Sequence, residues 1–485
     1  MAEEAKGKSA IDAAFESVAG GIETLISPHH DENYKKSLLG KVGELMNLEE
    51  WVDYVGEWGI SRALFVTGLF IPLVIAAHIL FPPFFVLVWG WLFLLLPVIG
   101  TVGFIIGFAA AWIWYVQSYY IFHRTNPVLL EVKMPAEVMK SPRAMEQVLT
   151  GFWIRAAETT FIDRTWHGGA RPYFSLEIAS FGGEIHFYIW TRKSFKNVAE
   201  ASMYAQYPEV EIVEVEDYAS RFQYDPKKYQ GFGTDYIFVS NHIKEGDERL
   251  NAYSIRTYVD FELDKDPKEE FKVDPFAQVL ETLSALNKDE QAWIQIVFRS
   301  HLVKYWAQLV EKEIEMIREK AAEQISLSEN GEKKFGFPHP TEQQKEQMRS
   351  MARHLGKLPF EFCGRGIYIA PRGKMRSAEY TSVRWIFRPF ANPNFMVMLR
   401  PRRGHNVWDY EWQDWHSIRW EKEMRRYFDR YRRRQVFHPP WQTPYNITSV
   451  ETLATIWHPP SRTIQAPGLQ RIPAAKAAPP PNLPV

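Results

Sequence analysis

The chain has 485 residues, a formal net charge of −1 and one cysteine, Cys363. A balance this close to neutral excludes a global field that would steer the whole protein to nucleic acid or to acidic partners, so any charge signal must be local. A single cysteine excludes an internal disulfide and fits a reducing compartment, where Cys363 is expected to be a small buried side chain.

Residues 1–62 begin polar, with no short apolar segment that would mark a cleavable signal. Ile11, Ala14, Phe15, Val18, Ile22 and Leu25 share one helical face, and Val42, Leu45, Met46, Trp51, Val52, Val55 and Trp58 repeat the pattern. Glu44, Glu49, Glu50, Asp53 and Glu57 fill the opposite side. This region reads as amphipathic helices that lie along a membrane or dock on protein.

Between Arg62 and Arg124 no side chain is charged. A helix needs about 20 apolar residues to cross a hydrocarbon core of about 30 Å. The run at 63–123 is therefore too long for one crossing and about right for two. Trp89 and Trp91 near its middle, and Trp112, Trp114, Tyr115, Tyr119 and Tyr120 at its end, suggest interfacial belts with a turn between them. Pro82-Pro83 would kink the first helix or form the turn itself. Two crossings, with Lys35, Lys36, Lys41 and Arg62 before and Arg124 and Lys133 after, would put both ends in the cytoplasm. The expected location is the cytoplasmic membrane, multi-pass, with the bulk of the chain cytoplasmic. Gly103, Gly107 and Ala111 form a small-residue stripe suited to packing on the first helix or to homo-oligomerisation.

Residues 124–250 form a first α+β unit. Ser141-Pro142 starts a helix from Arg143. Pro172–Phe181 alternates as a strand, Gly182-Gly183 marks a hairpin, and Glu184–Thr191 alternates again. A helix over Phe195–Tyr207 and a strand over Val210–Tyr218 follow. Strand, strand, helix, strand is part of a split β-α-β, ferredoxin-like layout.

Residues 251–398 repeat the theme as a second α+β unit. Strands are expected at Tyr253–Leu263, Gln291–Arg299 and Phe360–Ala370. Helices are expected at Asp274–Leu286, 302–324, 343–355 and Ser377–Phe387, with a mobile loop at 325–343. The fold class expected is a membrane-anchored α+β protein, two transmembrane helices followed by tandem ferredoxin-like units.

Residues 399–458 are rich in Arg and Trp. Arg402, Arg403, Arg425, Arg426, Arg432, Arg433 and Arg434 are the candidates for contact with DNA, because arginines bind phosphates and interleaved rings stack on bases. The competing expectation is an amphipathic helix near 417–434 whose arginines pair with Glu421, Glu423 and Asp429. Residues 459–485 are rich in Pro and Ala and read as an extended tail.

No catalytic or cofactor signature emerges. Gly7-Lys8-Ser9 is the only Gly-Lys-Ser, with Ala2 where a phosphate loop needs glycine. His29-His30-Asp31 reads as a solvated turn, and His438-Pro439-Pro440 and His458-Pro459-Pro460 are held extended with no third metal ligand. Trp166-His167-Gly168-Gly169 is a loop with no matching nucleophile. The chain is expected to be neither an enzyme nor a cofactor carrier.

Several stretches resemble a family of membrane-linked proteins found with type IV secretion and conjugation ATPases. They are Lys140–Val148, Phe174–Ile178 with Gly182–Tyr188, Tyr204–Pro208, Tyr253–Glu262, Tyr431–Arg434 with Phe437–Pro440, and Glu451–Thr455. The resemblance covers roughly 125–485. It implies an accessory or amino-terminal module of the coupling-protein ATPase class. In similar longer proteins a segment like Pro480-Pro481-Asn482-Leu483-Pro484 leads into the motor domain. This chain ends at Val485 without a phosphate loop, so the motor is expected to be a separate phosphate-loop ATPase. The alternative is a membrane-tethered nucleic-acid-binding protein that acts without an ATPase partner.

Overall fold

The computed structural model describes residues 62–135, 138, 140–155, 160–240, 243, 246–265, 273–323, 340–392, 397–401, 414, 418–438, 442–462, 464 and 466–472. The amino-terminal amphipathic helices, the expected loop at 325–343 up to 339, Arg402, Arg403 and the tail beyond 472 lie outside the described residues. The chain divides into two compact units, one of residues 1–97 with 407–417 and one of residues 98–406 with 418–485.

In the first unit, helix α1 spans Arg62–Leu80, and helix α2 begins at Pro82 and extends to Tyr119. Only Phe81 separates them. Its N–H donates to the Ala77 carbonyl at 2.9 Å and its carbonyl accepts from Phe85 N–H at 3.4 Å, so helical bonding carries across the prolines. No turn forms near Trp89, which lies inside α2. The turn expected near Trp89 is thus absent, and two crossings are not confirmed. Among the described residues α2 alone is long and apolar enough to cross a membrane, and Phe70–Leu80 is a shorter apolar helix. A multi-pass topology is therefore not supported. Pro72 and Pro97 lie inside the two helices without ending them. Pro82-Pro83 sit at the start of α2, where missing N–H groups cost little.

The second unit is a mixed α+β body around a large antiparallel sheet. The end of α2 leads through a π-helical turn, Tyr120–Arg124, into strand β1 (Pro127–Pro135). Helices α3 (Arg143–Thr150) and α4 (Phe161–Thr165) precede the hairpin β2 (Phe174–Phe181) and β3 (Glu184–Arg192). Helix α5 (Lys196–Gln206), strand β4 (Glu211–Val215) and helix α6 (Tyr218–Arg221) complete this half. The order across the sheet is β4-β1-β3-β2, every pair antiparallel.

The second half begins earlier than expected, at β5 (Tyr229–Ser240). Its glycines, Gly231 and Gly233, hide the strand pattern. It continues with α7 (Phe276–Ser284), β6 (Gln291–Ser300), α8 (Val303–Glu323), α9 (Glu342–Leu355), β7 (Pro359–Pro371), α10 (Ser377–Arg384) and β8 (Val397–Pro401). The order is β6-β7-β5-β8, again antiparallel throughout. Taking strands by their place in each half, both halves have the same order, fourth-first-third-second. They join edge to edge where β2 pairs β6 from Phe174 opposite Phe298 to Phe181 opposite Gln291.

Tyr253–Leu263 is not a strand. Its backbone is bonded by turns and by side chains, with Tyr258 N–H donating to Thr455 Oγ1 at 3.0 Å. After β8 come helix α11 (Ile418–Arg432), strand β9 (Asn446–Ser449), helix α12 (Val450–Ile456) and strand β10 (Arg471–Ile472). Strand β9 pairs β7 at Pro359–Phe362, beyond the residues of β7 that pair β5. Strand β10 pairs β1 at Met134–Pro135, beyond the residues that pair β3. The expected tail is thus built into the fold as far as Ile472, where Arg471 donates to the carbonyls of Ser461 and Ile464.

Both sheet faces are covered. Leu176, Ile178, Ile294, Ile296, Phe298, Phe360 and Phe362 point to an apolar core with α3, α7 and α12. Trp190, Trp293, Val297, Cys363 and Ile367 point to a second core under α11. Both faces of these strands are buried although polar residues alternate with apolar ones along them.

Candidate functional site

The second core is polar at its centre. Pairing brings Glu177 on β2 opposite Gln295 on β6, Gln295 opposite Arg365 on β7, and Arg365 opposite Asp235 on β5. Tyr188 on β3 and Glu131 on β1 extend the same row. Because side chains alternate along a strand, a row in register puts all of these groups on one face. Helix α11 docks there with Met424, Tyr427, Phe428 and Tyr431 buried. Gly233 makes the approach possible, since a Cβ there would lie 2.2 Å from the Tyr427 ring.

Just past α11, Arg434 is fully buried. Its Nε and Nη2 donate to Glu177 at 2.9 and 3.0 Å, and Nη2 also donates to Asp217 at 2.9 Å. Glu177 accepts further bonds from Ser175 Oγ, Tyr218 OH and Gln295 Nε2. Asp235 lies 3.1 Å from Arg430 and 3.3 Å from Arg365. Three carboxylates thus meet three guanidiniums, with Asp217 and Arg430 half-buried and the others buried. Burial alone would raise the Asp217 carboxyl, but the Arg434 charge and hydrogen bonds outweigh it and hold it below its ordinary range. Burial, followed by the Glu177 charge, pushes the Tyr218 and Tyr431 hydroxyls well up, so both stay neutral donors or acceptors.

The arginines of the segment therefore divide. Arg430 and Arg434 face inward onto the sheet. Arg425, Arg426 and Arg432 are exposed on the outer face and Arg433 is half-buried. Arg426 pairs with Glu423 at 2.8 Å, while Arg432 and Arg433 pair with Asp429 at 3.0 and 2.9 Å. Glu421 pairs instead with Arg372 at 3.0 Å. This is the amphipathic-helix expectation for 417–434. The sequence could not single out Glu177 as the inner partner, because Ser175-Leu176-Glu177-Ile178 alternates like a strand with one wet face.

A second buried network surrounds Glu451, the second residue of the buried α12. Lys357 Nζ lies 2.7 Å and Arg353 Nε 3.2 Å from its carboxylate, and Thr257 Oγ1 donates to it. His354 Nδ1 meets Ser449 Oγ at 2.6 Å. Burial lowers the His354 pKa to about 4 despite the nearby Glu451. Burial, then Arg299, Arg192 and Arg171, lower His438 to about 3. His458 Nε2 lies 3.0 Å from Asp274. A cavity of about 960 Å³ opens beside α8, where Arg249 and Tyr253 both bond Glu313. Among the described residues no group of three or more His, Cys, Asp or Glu is placed to hold a metal ion.

The base of α2 is clamped onto the body. Val116 and Gln117 are buried, Trp112 Nε1 donates to the Thr165 carbonyl at 2.9 Å, and Gly168, at φ +66°, packs on the helix backbone. Among the described residues, a Cβ at Gly103 or Gly107 would meet nothing within 4 Å.

No protein-family model matches the chain, and no curated protein matches it.

Proposed function

We propose that the chain is a non-catalytic membrane anchor that positions a separate phosphate-loop ATPase in a type IV secretion-like or conjugation apparatus. The observation that carries the membrane half is the clamp just described. Leu92–Ala111 is exposed along its length and holds no Trp, Tyr or charge, with Trp91 before it and Trp112 after it. At 1.5 Å per residue it rises about 30 Å, one hydrocarbon thickness. A helix joined to the body without a linker holds that body at a set height above the lipid. Arg124, Lys133 and Lys140 downstream, with the unpaired thiol of Cys363, favour a cytoplasmic body.

The partner half rests on the sequence resemblance. Each half of the sheet is taken to be a split β-α-β, ferredoxin-like unit, which its fourth-first-third-second strand order supports. The test is a pull-down of tagged, detergent-solubilised protein from native cells, with co-purifying chains identified by mass spectrometry. A phosphate-loop ATPase in near-stoichiometric amount is expected. Recovery of the chain alone, under conditions that keep other membrane complexes intact, would overturn the anchor reading.

The exposed cations Arg419, Lys422, Arg425, Arg426 and Arg432 favour one second reading, tethered nucleic-acid binding. In that case DNA affinity would fall steeply between about 50 and 200 mM salt. The variant Arg425→Glu/Arg426→Glu would lose affinity without unfolding. Binding unchanged by that variant would clear the outer face of α11 of this role.

A further inference from the structure

We propose that the turn Phe161–Trp166 is a second membrane contact, a foot that sets Phe161, Ile162 and Trp166 into the boundary between headgroups and acyl chains. The proposal rests on the reading of α2 as a membrane span. Three large apolar side chains within six residues are 68, 59 and 65 % exposed here. Elsewhere on the body outside α2, among the described residues, three exposed large apolar side chains do not fall within six residues. Scattered apolar residues need no explanation, but a cluster of this kind marks a contact surface.

The position of the turn identifies the contact as lipid. Trp112 is the first ring after the apolar span, at the depth where aromatic side chains favour the interface. The turn is held at that depth. Trp112 Nε1 donates to the Thr165 carbonyl at 2.9 Å, and the rings of Trp112 and Trp166 lie 5.5 Å apart, edge to face. Behind the turn, a Cβ on Gly168 would lie 2.3 Å from the Val116 carbonyl oxygen, which shows how closely the loop seats on α2. The turn also has a charge at the appropriate level. Arg164 is exposed beside the apolar residues, where a guanidinium can meet lipid phosphates. Thr160 caps the turn by accepting from Asp163 N–H at 3.1 Å, so its short helix is preformed. A span with one foot beside it resists tilting and rotation, which a span alone does not.

The test uses the full chain in vesicles of phosphatidylcholine and phosphatidylglycerol. Nitroxide labels are placed singly at Ile162→Cys, Phe104→Cys and Lys320→Cys. Cys363 is buried, and burial pushes its thiol up to about 11, so it remains unlabelled. Collision rates with oxygen and with a water-soluble nickel chelate report the surroundings of each label. Oxygen-dominated collision at 104, a shallower oxygen-weighted signal at 162 and nickel-dominated collision at 320 are expected. Nickel-dominated collision at 162 with oxygen-dominated collision at 104 would overturn the foot and leave the span standing. A label at 162 shielded from both reagents would mean a protein contact, from a second copy or a partner, and would also overturn it. Nickel-dominated collision at 104 would remove the span and the foot together.

Discussion

Arg434 occupies a position where chemistry and backbone geometry pull in opposite directions. Its φ of 49° lies in the left-handed region that favours glycine, just past the end of α11. Its guanidinium is nonetheless the counter-charge of both Glu177 and Asp217. Breaking a buried pair by removing one partner costs about 3–5 kcal/mol, because the remaining charge is stranded. Arg434→Ala is therefore expected to destabilise by about that much in urea titration of the detergent-solubilised protein. Arg434→Gly is expected to recover about 1 kcal/mol of the loss by relaxing the backbone. Equal losses would mean that the backbone carries no strain.

Buried His354 and His438 give a pH dependence at the same scale. Both are held neutral, with pKa values lowered to about 4 and about 3 from 6.5. In the unfolded chain they would take up protons first. Their contribution is complete above about pH 6.5 and is lost as pH falls toward the folded values, each by up to about 1.4 kcal/mol per pH unit. Glu451 and Glu361 are also buried, which raises their pKa values. Arg353 and Lys357 beside Glu451, and the His301 hydrogen bond with Arg299 and Arg171 beside Glu361, outweigh this and hold both below 4.5, so the carboxylates act at lower pH. A His354→Gln/His438→Gln variant is expected to show a flatter stability profile between about pH 6.5 and 4.5. An unchanged slope would mean that neither ring is buried as described.

At the scale of elements, two glycines set the main contacts. Gly233 admits the Tyr427 ring and so lets α11 close over the sheet. Gly168 admits the backbone of α2. At Gly168 an added Cβ meets both a positive φ and the Val116 backbone, whereas Gly246 has φ +88° and open space around it. Gly168→Ala is expected to cost about 2–4 kcal/mol and Gly246→Ala about 1 kcal/mol, measured by the same titration. Equal effects would mean that the clamp on α2 is loose. Most elements were legible from local pattern. The hairpin at Gly182-Gly183, the helix at 302–324, the strand at Phe360–Ala370 and the amphipathic helix near 417–434 formed where period and punctuation placed them. Strand β5 was missed because its glycines serve packing partners far away in sequence. Tyr253–Leu263 was misassigned because its aromatic and β-branched residues satisfy α12 rather than a neighbouring strand.

Across the whole molecule, the duplicated order of strands extends to β9 and β10. Strand β9 follows on where β5 leaves β7, and β10 where β1 leaves β3, so each half is finished by a strand from the end of the chain. Residues 459–472 are therefore part of the body. A truncation that probes the tail for partner binding should begin after Ile472. The sequence alone determined that a long apolar helix leads into an α+β body, because charge-free length and local periodicity are properties of neighbouring residues. It likewise showed that the chain carries no phosphate loop. Only the tertiary structure decided that the helix runs on without a turn at Trp89, since continuity depends on which backbone bonds close. Only it decided which arginines face inward. That choice depends on the register that lines up Glu177, Gln295, Arg365 and Asp235 across four strands, and register is set by contacts between residues far apart in the chain.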